Sequence, residues 1–561
     1  MIVPAPARTS IKNFGYNLGY PSRAFNQILQ GRFGDVGDES LRFLTNTTVG
    51  VVGLFDVASK WDIPKPRGSF GQTFQAWGWD GKNFVVLPLL GPSDERSATG
   101  RGVDWLTYPT AYINGSRNIL YGVTFNNFTE DTDETLRLLK SDPDSYDTSK
   151  AIWTYAAMKE APNWSLNGPR HAPSLETLAA ATLKLNDVRF LEIMQEAKVK
   201  VPTTGKKLPF NYWIQDEPAP LVYVVPGLGA HRQTMQALSV AEALYDRGYS
   251  VVSISGMFHP EFIEKASSVE VPGNAKADRR DVWALMGAID SWLEGEHGED
   301  LGPRAMVGTS MGGFQALAMA AESKTRQTSC NKCCKGCCQS IKIDRFIAIN
   351  PPVDLIHSLK KLDYYMEAPK QWPDGVRQER VDNAVHKAVA MMAMPENISM
   401  QAPPFDGVES KYLIGLAFRL TLRNAIYTSE RTHKLGNFHH SMSRWNRQEA
   451  YEEILAMSFD QYLKEVLLPH YGRKGITAQD FNRQCDLKDF ASSLSRCQQA
   501  HVITSRKDFL LSGGDLAWLQ RTFGSRRLTL LERGGHVGGL LSNKGVHELL
   551  DAKLKDLKGS Q

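Results

Sequence analysis

Apolar runs alternate with stretches of helical character from about residue 207 to the end of the chain. Short continuous apolar runs bounded by glycine, proline or polar residues are typical of strands buried on both faces of a parallel sheet. Such runs lie at residues 207–214, 221–225, 305–307, 346–349, 501–505 and 527–531. Because strands and helices alternate, this part of the chain is predicted to fold as an α/β domain.

The first 160 residues follow a different pattern, in which short helical stretches are broken by glycine and proline. Their apolar residues give amphipathic stretches that are too short to span a bilayer but are suited to its interface. A small helical core would use the same side chains, so the pattern alone leaves both interpretations open. The residues concerned are Phe25, Ile28, Leu29, Phe33, Leu41, Phe43, Leu44, Val51, Val52, Leu54 and Phe55.

The length and the net charge of the chain limit the classes of protein to which it can belong. Its 561 residues exceed one ordinary core, and a net charge of +4 is small for this length, which argues against a nucleic-acid-binding face. No apolar run reaches the length of a transmembrane helix. Several prolines surround a helical stretch predicted from Ser174 to Leu185. We therefore predict three segments: residues 1–162, a linker with helices at 163–206, and a domain at 207–561.

A Gly-x-Ser-x-Gly motif, Gly308-Thr309-Ser310-Met311-Gly312, stands between an apolar strand and a small-residue helical stretch. This strand–turn–helix context exposes a serine hydroxyl at the edge of a sheet, where a general base reaches it. Ser310 is therefore predicted to be a catalytic nucleophile.

An acid and a base follow the serine in the chain order that this architecture requires. Asp508 comes after a predicted strand and is predicted to be the acid, while His536 lies in a glycine-rich loop after the next strand and is predicted to be the general base. Asp354 is the alternative acid, and Asp515 is typical of a helix start. The other histidines, such as His231, are expected to be surface or core residues.

A glycine-rich turn, Pro226-Gly227-Leu228-Gly229, follows the buried strand at 221–225. We predict that the backbone N–H groups of Leu228 and Met311 form an oxyanion hole, which usually supplies most of the electrostatic stabilisation in acyl transfer. Neither a cofactor nor a metal ion is predicted.

These elements together resemble the α/β-hydrolase fold. Residues 351–497 lie between two predicted strands and carry apolar and aromatic side chains at helical spacing, so they are predicted to form a helical cap. Caps inserted here cover the nucleophile and shape its acyl or alcohol pocket. The identity of the ester therefore stays open.

Ordered sequence blocks in the first 160 residues lie at 26–35, 42–50, 53–60, 70–73, 77–78 and 87–93. Together they resemble the MlaA/VacJ family of outer-membrane lipoproteins, and the resemblance fades near residues 142–147. The chain departs from the family at Ser69, where an acidic residue is usual, and at Ser97, where an aspartate usually follows Arg96.

The MlaA/VacJ resemblance implies a mostly helical ring in the inner leaflet of the bacterial outer membrane, which moves phospholipid toward a periplasmic carrier. By the same resemblance, porins and that carrier are expected partners, and the periplasmic face of the outer membrane is the expected location. Residues 1–8 have neither the features of a signal peptide nor a lipid-accepting cysteine, both of which are normal in the family. We therefore expect this sequence to begin later than the start of the family's proteins.

Cysteine use is uneven, because five of the seven cysteines lie within residues 330–338. Two overlapping C-x-x-C spacings suit zinc, yet no histidine is nearby and an oxidising periplasm favours disulfides. The cluster is predicted to be a surface insertion rather than a metal site. Cys485 and Cys497 are candidates for pairing with each other.

The sequence thus predicts a multidomain protein, in which a mostly α MlaA-like domain precedes an α/β-hydrolase domain with a helical cap. The expected activity is cleavage of a lipid ester or another carboxylic ester through a Ser-His-Asp acyl-enzyme mechanism. Phospholipid and the outer membrane are the expected partners, and nucleic acid is not. Two alternatives stay open: a phospholipid-transport protein whose hydrolase-like half is an interaction module, and a hydrolase of peptides or non-lipid esters anchored by the first domain.

Overall fold

The computed structural model describes residues 5–66, 68–79, 84–87, 91–107, 173–180, 183, 185–330, 341–392, 405–442, 447–541 and 546–559. The chain divides into two compact units, Met1–Ala157 and Met158–Gln561. Within the described ranges, no helix combines the length and the apolar character that crossing a bilayer requires.

The described part of the first unit is mostly helical. Two short strands pair antiparallel in it, with Phe84 opposite Asp94. The elements are α1 (Ala5–Leu18), α2 (Tyr20–Leu29), α3 (Phe33–Thr48), α4 (Val57–Lys60), α5 (Phe70–Ala76), β1 (Phe84–Leu87), β2 (Gly91–Asp94) and α6 (Glu95–Thr107).

Buried polar side chains hold the helices of this unit together. Arg42 is buried in α3 and donates to the carbonyl oxygen of Ile63 at 2.5 Å and to the carboxylate of Asp56 at 2.7 Å. Burial by itself raises the pKa of Asp56, but hydrogen bonds from Ser59 and Asn46 and the charge of Arg42 outweigh it and lower that pKa to about 2. Because a buried charge is costly unless it is paired, this ion pair fixes α3 against the start of α4.

The second unit is built on a sheet of eight strands. The strands are β3 (Gln195–Lys200), β4 (Lys207–Trp213), β5 (Ala219–Val225), β6 (Ser250–Ser253), β7 (Leu301–Thr309), β8 (Arg345–Ile349), β9 (Ala500–Ser505) and β10 (Leu528–Leu531). Their order across the sheet is β10-β9-β8-β7-β5-β6-β4-β3, which is the order of the predicted α/β-hydrolase fold. Neighbouring strands from β10 to β6 in this order are parallel, while β4 runs antiparallel to β6 and β3 antiparallel to β4.

Helices cover both faces of the sheet, so its central strands are buried on both sides. Along β5, Leu221, Tyr223 and Val225 face one core cluster, and Val222 and Val224 face the other. This alternation is the two-residue period of a strand, and it explains why the sequence shows an unbroken apolar run there.

The α-helices described in this unit are α7 (Pro173–Ala179), α8 (Met235–Tyr245), α9 (Pro260–Lys265), α10 (Ala275–His297), α11 (Met311–Cys330), α12 (Leu355–Met366), α13 (Asp374–Met392), α14 (Gly407–His433), α15 (Gln448–Ala456), α16 (Phe459–Gln461), α17 (Leu468–Arg473), α18 (Ala478–Gln484), α19 (Ala491–Arg496), α20 (Gly513–Arg527) and α21 (Val546–Leu554). The 3-10 helices are Val188–Leu191, Gly298–Asp300, Ala368–Gln371, Leu487–Phe490, Gly538–Leu541 and Lys555–Gly559, and Tyr462–Leu467 is a π-helix.

The insertion between β8 and β9 is a helical cap, as predicted, and it contains α12 to α19. Its longest helix, α14, begins with a capping box in which Asp406 accepts the backbone N–H of Glu409 at 2.8 Å. Lys387 of α13 donates to the buried carboxylate of Glu409 at 2.9 Å. This buried ion pair joins the two longest helices of the cap.

Two features differ from what the sequence suggests locally. Strand β3 belongs to the sheet although it lies in the segment predicted as a linker, and helix α7 ends at Ala179 rather than near residue 185. Charged residues alternate along β3, because it is an edge strand with one exposed face, and so no apolar run marks it.

The cysteines also correct one expectation. Cys485 and Cys497 are both buried and both free, so the predicted pairing of these two residues is wrong. Burial raises the pKa of the Cys485 thiol to about 12, which keeps it protonated and unreactive. Of the other cluster, α11 ends at Cys330 and the remaining cysteines lie outside the described residues.

Candidate active site

Ser310 stands on the sharp turn between β7 and α11. Its φ is 52°, a left-handed conformation that is strained for a residue other than glycine, and its backbone N–H donates to the carbonyl oxygen of Ile349 at 2.8 Å. A Cβ atom at Gly308 would overlap the backbone of Gly312, and one at Gly312 would overlap the backbone of Val225. The two glycines of the motif are therefore required for the turn to pack this closely.

The structure brings Ser310, His536 and Asp508 together at the carboxyl edge of the sheet. The Nε2 atom of His536 lies 2.9 Å from the Oγ atom of Ser310, and its Nδ1 atom lies 2.9 Å and 3.1 Å from the carboxylate oxygens of Asp508. All three side chains are buried. Because a carboxylate only accepts, Nδ1 carries the proton in this arrangement and Nε2 is left to accept from the serine hydroxyl.

Two donors besides His536 hold Asp508. The side-chain amide of Asn350, the residue that follows β8, donates to Asp508 at 2.8 Å and to the carbonyl oxygen of Gly535 at 3.2 Å. The backbone N–H of Leu510 donates to the other carboxylate oxygen at 3.0 Å. Sequence reasoning missed Asn350, although its position at the carboxyl end of a strand is a signal that would have pointed to it.

Asp354, the alternative acid, does not join this group. It is the N-cap of α12, where its side chain accepts the backbone N–H of His357 at 3.0 Å. Asp515 lies in the first turn of α20, where its carboxylate accepts from the hydroxyl of Ser512 at 2.7 Å. Both carboxylates therefore serve helix starts in this structure.

The glycine-rich turn after β5 lies directly beside the serine. A Cβ atom on Gly227 would be 3.2 Å from the Cβ atom of Ser310, so only glycine gives this separation without a shift. Met311 is the first residue of α11, and the N–H groups of a first helical turn have no acceptor within the helix. The backbones of Leu228 and Met311 thus lie on the two turns that adjoin Ser310.

The cap covers this turn from above. Gly229 has a φ of +68°, and a Cβ atom there would overlap the side chain of Thr421 in α14. The longest cap helix therefore crosses the turn that contains Leu228 with no room for a larger residue.

Aromatic side chains line the base and acid. Phe509 meets the ring of His536 edge-on, with centroids 5.6 Å apart, and Tyr365 of the cap stacks on Phe509 at 4.4 Å. Burial, together with the negative charge of Asp508, raises the pKa of Tyr365 to about 12. The phenol of Tyr365 therefore stays neutral, and its ring packs on the Phe509 ring that contacts the imidazole.

His231 and His259 form a separate polar cluster behind the turn, with ring centroids 4.9 Å apart. Burial, with smaller effects of His259 and Arg232, lowers the pKa of His231 to about 2. Its Nδ1 atom accepts the backbone N–H of Gln233 at 3.2 Å, and its Nε2 atom lies 3.6 Å from Glu261. His231 is thus a neutral core residue outside the hydrogen-bond chain of Ser310.

No metal centre accompanies the serine in the part of the chain that the structure describes. There, no group of three or more histidine, cysteine, aspartate or glutamate side chains is arranged to hold a metal ion.

Many large apolar side chains are exposed in the described part of the first unit. Val51 and Val52 have φ values of 52° and 58°, and 54% and 59% of their surfaces are exposed. Positive φ is a genuine outlier for β-branched residues. The large exposed apolar residues are Phe25, Ile28, Phe33, Leu41, Leu44, Val49, Val51, Val52, Leu54, Phe55, Trp61, Trp77 and Trp79.

The fold and the site together define a serine-centred α/β-hydrolase-like unit that follows a helical unit with an apolar surface. Comparison with protein families agrees with both halves: residues 1–160 match the family model described as MlaA lipoprotein, and residues 200–333 match the model described as putative esterase. The chain is therefore a fusion of an MlaA-like segment and an esterase-like segment, and both resemblances predicted from the sequence are confirmed.

Two curated relatives are similar over a limited length. An uncharacterised protein of Rickettsia conorii is 36% identical over 92 residues, which are 16% of this chain and 37% of that protein. The intermembrane phospholipid transport system lipoprotein MlaA of Escherichia coli is 33% identical over 117 residues, which are 19% of this chain and 47% of that protein. The chain thus spans less than half the length of these curated relatives.

Among solved structures, an esterase of Pyrococcus furiosus is 12% identical, with a TM-score of 0.36, and the match covers 67% of this chain and 99% of that one. The strand order of the sheet is by itself that of an α/β-hydrolase.

Proposed function

We propose that the second unit is a serine hydrolase that cleaves a lipid ester through Ser310, His536 and Asp508. The observation that carries this proposal is the continuous hydrogen-bond chain of Oγ to Nε2 at 2.9 Å and Nδ1 to the carboxylate at 2.9 Å. The match of residues 200–333 to a putative esterase supports the same reaction class. A buried base oriented by a carboxylate is what activates a serine hydroxyl at neutral pH.

In the proposed reaction, His536 takes the proton of Ser310 as the serine Oγ atom attacks the ester carbonyl carbon. The backbone N–H groups of Leu228 and Met311 stabilise the negative charge on the tetrahedral intermediate. The imidazolium, stabilised by Asp508, then protonates the leaving alcohol, which departs and leaves an acyl-serine. Water activated by His536 hydrolyses the acyl-serine and restores the free hydroxyl.

The proposed substrate is a lipid because of the unit that precedes the hydrolase. Its exposed apolar surface includes strained valines at the tip of a turn, which suits burial in the interface of a bilayer. The relatives named MlaA belong to an intermembrane phospholipid transport system. We propose that residues 1–162 handle phospholipid at the periplasmic face of the outer membrane, and that residues 207–561, with the linker at 163–206, act on the lipid there.

The proposal is tested with a fluorophosphonate probe, which forms a covalent bond with an activated serine. The wild-type protein is expected to be labelled and to hydrolyse a soluble short-chain ester, and Ser310→Ala is expected to lose both properties. Ser495→Ala is the matched control, since that hydroxyl is exposed and donates to the carbonyl oxygen of Ala491 at 2.8 Å. Labelling that persists in Ser310→Ala would move the nucleophile elsewhere, and an unlabelled, inactive wild type would favour the interaction-module alternative.

A further inference from the structure

Helix α7, which precedes the sheet by some fifteen residues, contacts the loop that carries His536. The hydroxyl of Thr177 accepts the backbone N–H of His536 at 2.8 Å, and the carboxylate of Glu176 accepts the backbone N–H of Gly534 at 2.8 Å. Two consecutive side chains of one helix thus hold two N–H groups of the loop. A backbone N–H that is buried without an acceptor is costly, so these bonds fix where the loop lies.

The backbone of this helix packs directly against the backbone of the loop. A Cβ atom on Gly535 would overlap the carbonyl oxygen of Pro173, and a Cβ atom on Gly538 would overlap that of Glu176. The glycines on both sides of His536 are therefore needed for α7 to approach. This contact gives the glycine-rich loop a rigid support that its own sequence does not supply.

The other side of α7 is anchored in the cap. Ser174 accepts a hydrogen bond from the hydroxyl of Ser410 in α14 at 2.8 Å, and both residues are buried. Leu175 is 4% exposed and packs in a cluster with Phe405 and Leu413 of the cap. One short helix thus contacts the cap through residues 174 and 175 and the histidine loop through residues 176 and 177.

We propose that α7 positions the general base, with Thr177 and Glu176 as positioning residues, and that the cap determines where α7 lies. The proposal rests on the proposed function, because it assumes that His536 is the base for Ser310. Neither Thr177 nor Glu176 reaches the reacting atoms; each acts on the backbone of the loop. Small displacements of a catalytic group reduce the rate of the chemical step more than they affect binding of substrate.

The first test is a set of substitutions at Thr177 in the full-length protein, assayed with a soluble p-nitrophenyl ester. Thr177→Val keeps the shape but removes the acceptor, so kcat is expected to fall about 10- to 100-fold with KM changed less than about twofold. Thr177→Ser restores the hydroxyl and is expected to restore kcat. The hydroxyl of Thr177 also donates to the carbonyl oxygen of Pro173 at 2.9 Å. Thr203→Val is the control for losing such a donor, because the hydroxyl of Thr203 donates to the carbonyl oxygen of Ala266 at 3.2 Å, away from the loop.

Two further variants separate positioning from a loss of folding. Glu176→Ala removes the second acceptor at a partly exposed site, and Leu175→Ala loosens only the contact with the cap; both are expected to lower kcat selectively. Amide hydrogen exchange of residues 532–541 is expected to rise in all three loss variants, Thr177→Val included, at unchanged protection of the sheet.

The outcomes distinguish this proposal from the proposed function. In one outcome the wild type is active, and Thr177→Val and Glu176→Ala match its kcat, KM and loop exchange within about twofold. That result overturns the role of α7 but leaves the proposed serine hydrolase intact. A kcat that Thr177→Ser fails to restore also overturns it. A loss that appears equally in Thr203→Val shows a general effect on folding and overturns the proposal as well. A wild type with no labelling at Ser310 overturns both.

Discussion

At the scale of single residues, two unfavourable backbone conformations lie at the carboxyl edge of the sheet, in the proposed nucleophile and in the residue that holds the proposed acid. Ser310 and Asn350 follow neighbouring parallel strands, β7 and β8, and have φ values of 52° and 47°. Non-glycine residues adopt this region rarely, at a cost of about 1–3 kcal/mol each. The strain is maintained because the backbone N–H of Ser310 bonds Ile349 and that of Asn350 bonds Ile503.

Asn350 is expected to matter through its side-chain donor. Asn350→Asp keeps the shape and tolerates the same φ, but it replaces the amide that donates to Asp508 with a group that only accepts. Two carboxylates then face each other, so we expect kcat to fall by about tenfold or more at neutral pH. Steady-state hydrolysis of a short-chain ester measures this, with Asn482→Asp at an exposed helix position as the control. Equal rates for the two variants would show that Asn350 does not support the acid.

The acid is identified by a matched pair of substitutions. Asp508→Asn leaves the shape intact but no longer stabilises the imidazolium of His536, so kcat is expected to fall about 10³- to 10⁴-fold. Asp354→Asn replaces one good N-cap residue of α12 by another, so activity and melting temperature are expected to change little. Both variants are compared in the same ester assay. If the larger loss appears in Asp354→Asn, the acid is Asp354.

His501 on β9 is expected to make the protein less stable in mild acid. Burial, together with the charges of Arg345 and Lys553, lowers its pKa from 6.5 to about 4. Between pH 6.5 and about 4, His501 is protonated in the unfolded chain but stays neutral in the folded chain. The free energy of unfolding therefore falls as pH drops through this range. The slope is at most about 1.4 kcal/mol per pH unit, and solvent screening reduces it.

The measurement for His501 is urea unfolding of the wild type and of His501→Gln at about pH 7.5 and about pH 5. Other groups titrate in both proteins, so the quantity of interest is the difference between their losses. The wild type is expected to lose more stability than His501→Gln over this range. Equal losses would mean that His501 takes its proton as readily in the folded chain as in the unfolded one.

At the scale of elements, the sequence predicted those strands and turns that a local residue pattern specifies. The apolar runs gave the buried parallel strands, since β5 at Ala219–Val225 is buried on both faces and needs no alternation. The turn around Ser310 was predictable because its glycines are required locally. In contrast, β3 presents an edge with charged residues, so its membership of the sheet depends on pairing with β4, which no local pattern shows.

Contacts between segments that are distant along the chain could not be predicted from the sequence. Helix α7 meets the loop of His536 across more than 350 positions, through Glu176 and Thr177, and nothing in a short polar helix points to that partner. Asn350 likewise bonds Asp508 over 158 positions. The contact of Asn350 with Asp508 arises because parallel strands gather their carboxyl ends at one edge of the sheet. The contact of α7 depends instead on the packing of a helix that precedes the sheet. The sequence therefore predicts the edge at which the catalytic residues lie but not the residues that support them.

At the scale of the whole molecule, the chain joins an apolar surface suited to a bilayer to a buried serine. Apolar side chains exposed to water cost free energy, and a protein retains a strained, exposed pair such as Val51 and Val52 where it contributes to binding. A tether between a membrane-binding unit and an enzyme raises the effective concentration of membrane lipid at the enzyme without any new contact. Under the proposed function, we therefore expect faster action on lipid in a bilayer than on soluble esters.

This cooperation is expected to appear as a rate difference that depends on the substrate. Deleting residues 1–160 leaves α7 in place, so hydrolysis of a soluble short-chain ester is expected to continue. Hydrolysis of phospholipid in vesicles of phosphatidylethanolamine and phosphatidylglycerol is expected to fall about tenfold or more, because the substrate is no longer concentrated near Ser310. Release of fatty acid from the two substrates, measured side by side, gives the ratio.

A full-length variant tests the same link without a deletion. Aspartate tolerates a φ of 58° better than valine does, so Val52→Asp is expected to keep the fold. Binding to the membrane is expected to lose the free energy of burying one apolar side chain, about 1.5–3 kcal/mol. Val376→Asp is the matched control, since Val376 is 42% exposed on α13 of the cap. Val52→Asp is expected to weaken binding to vesicles and to slow hydrolysis of vesicle lipid by similar factors, with the soluble ester unaffected. If Val52→Asp weakens binding but leaves the rate on vesicle lipid unchanged, the two units act independently on one chain.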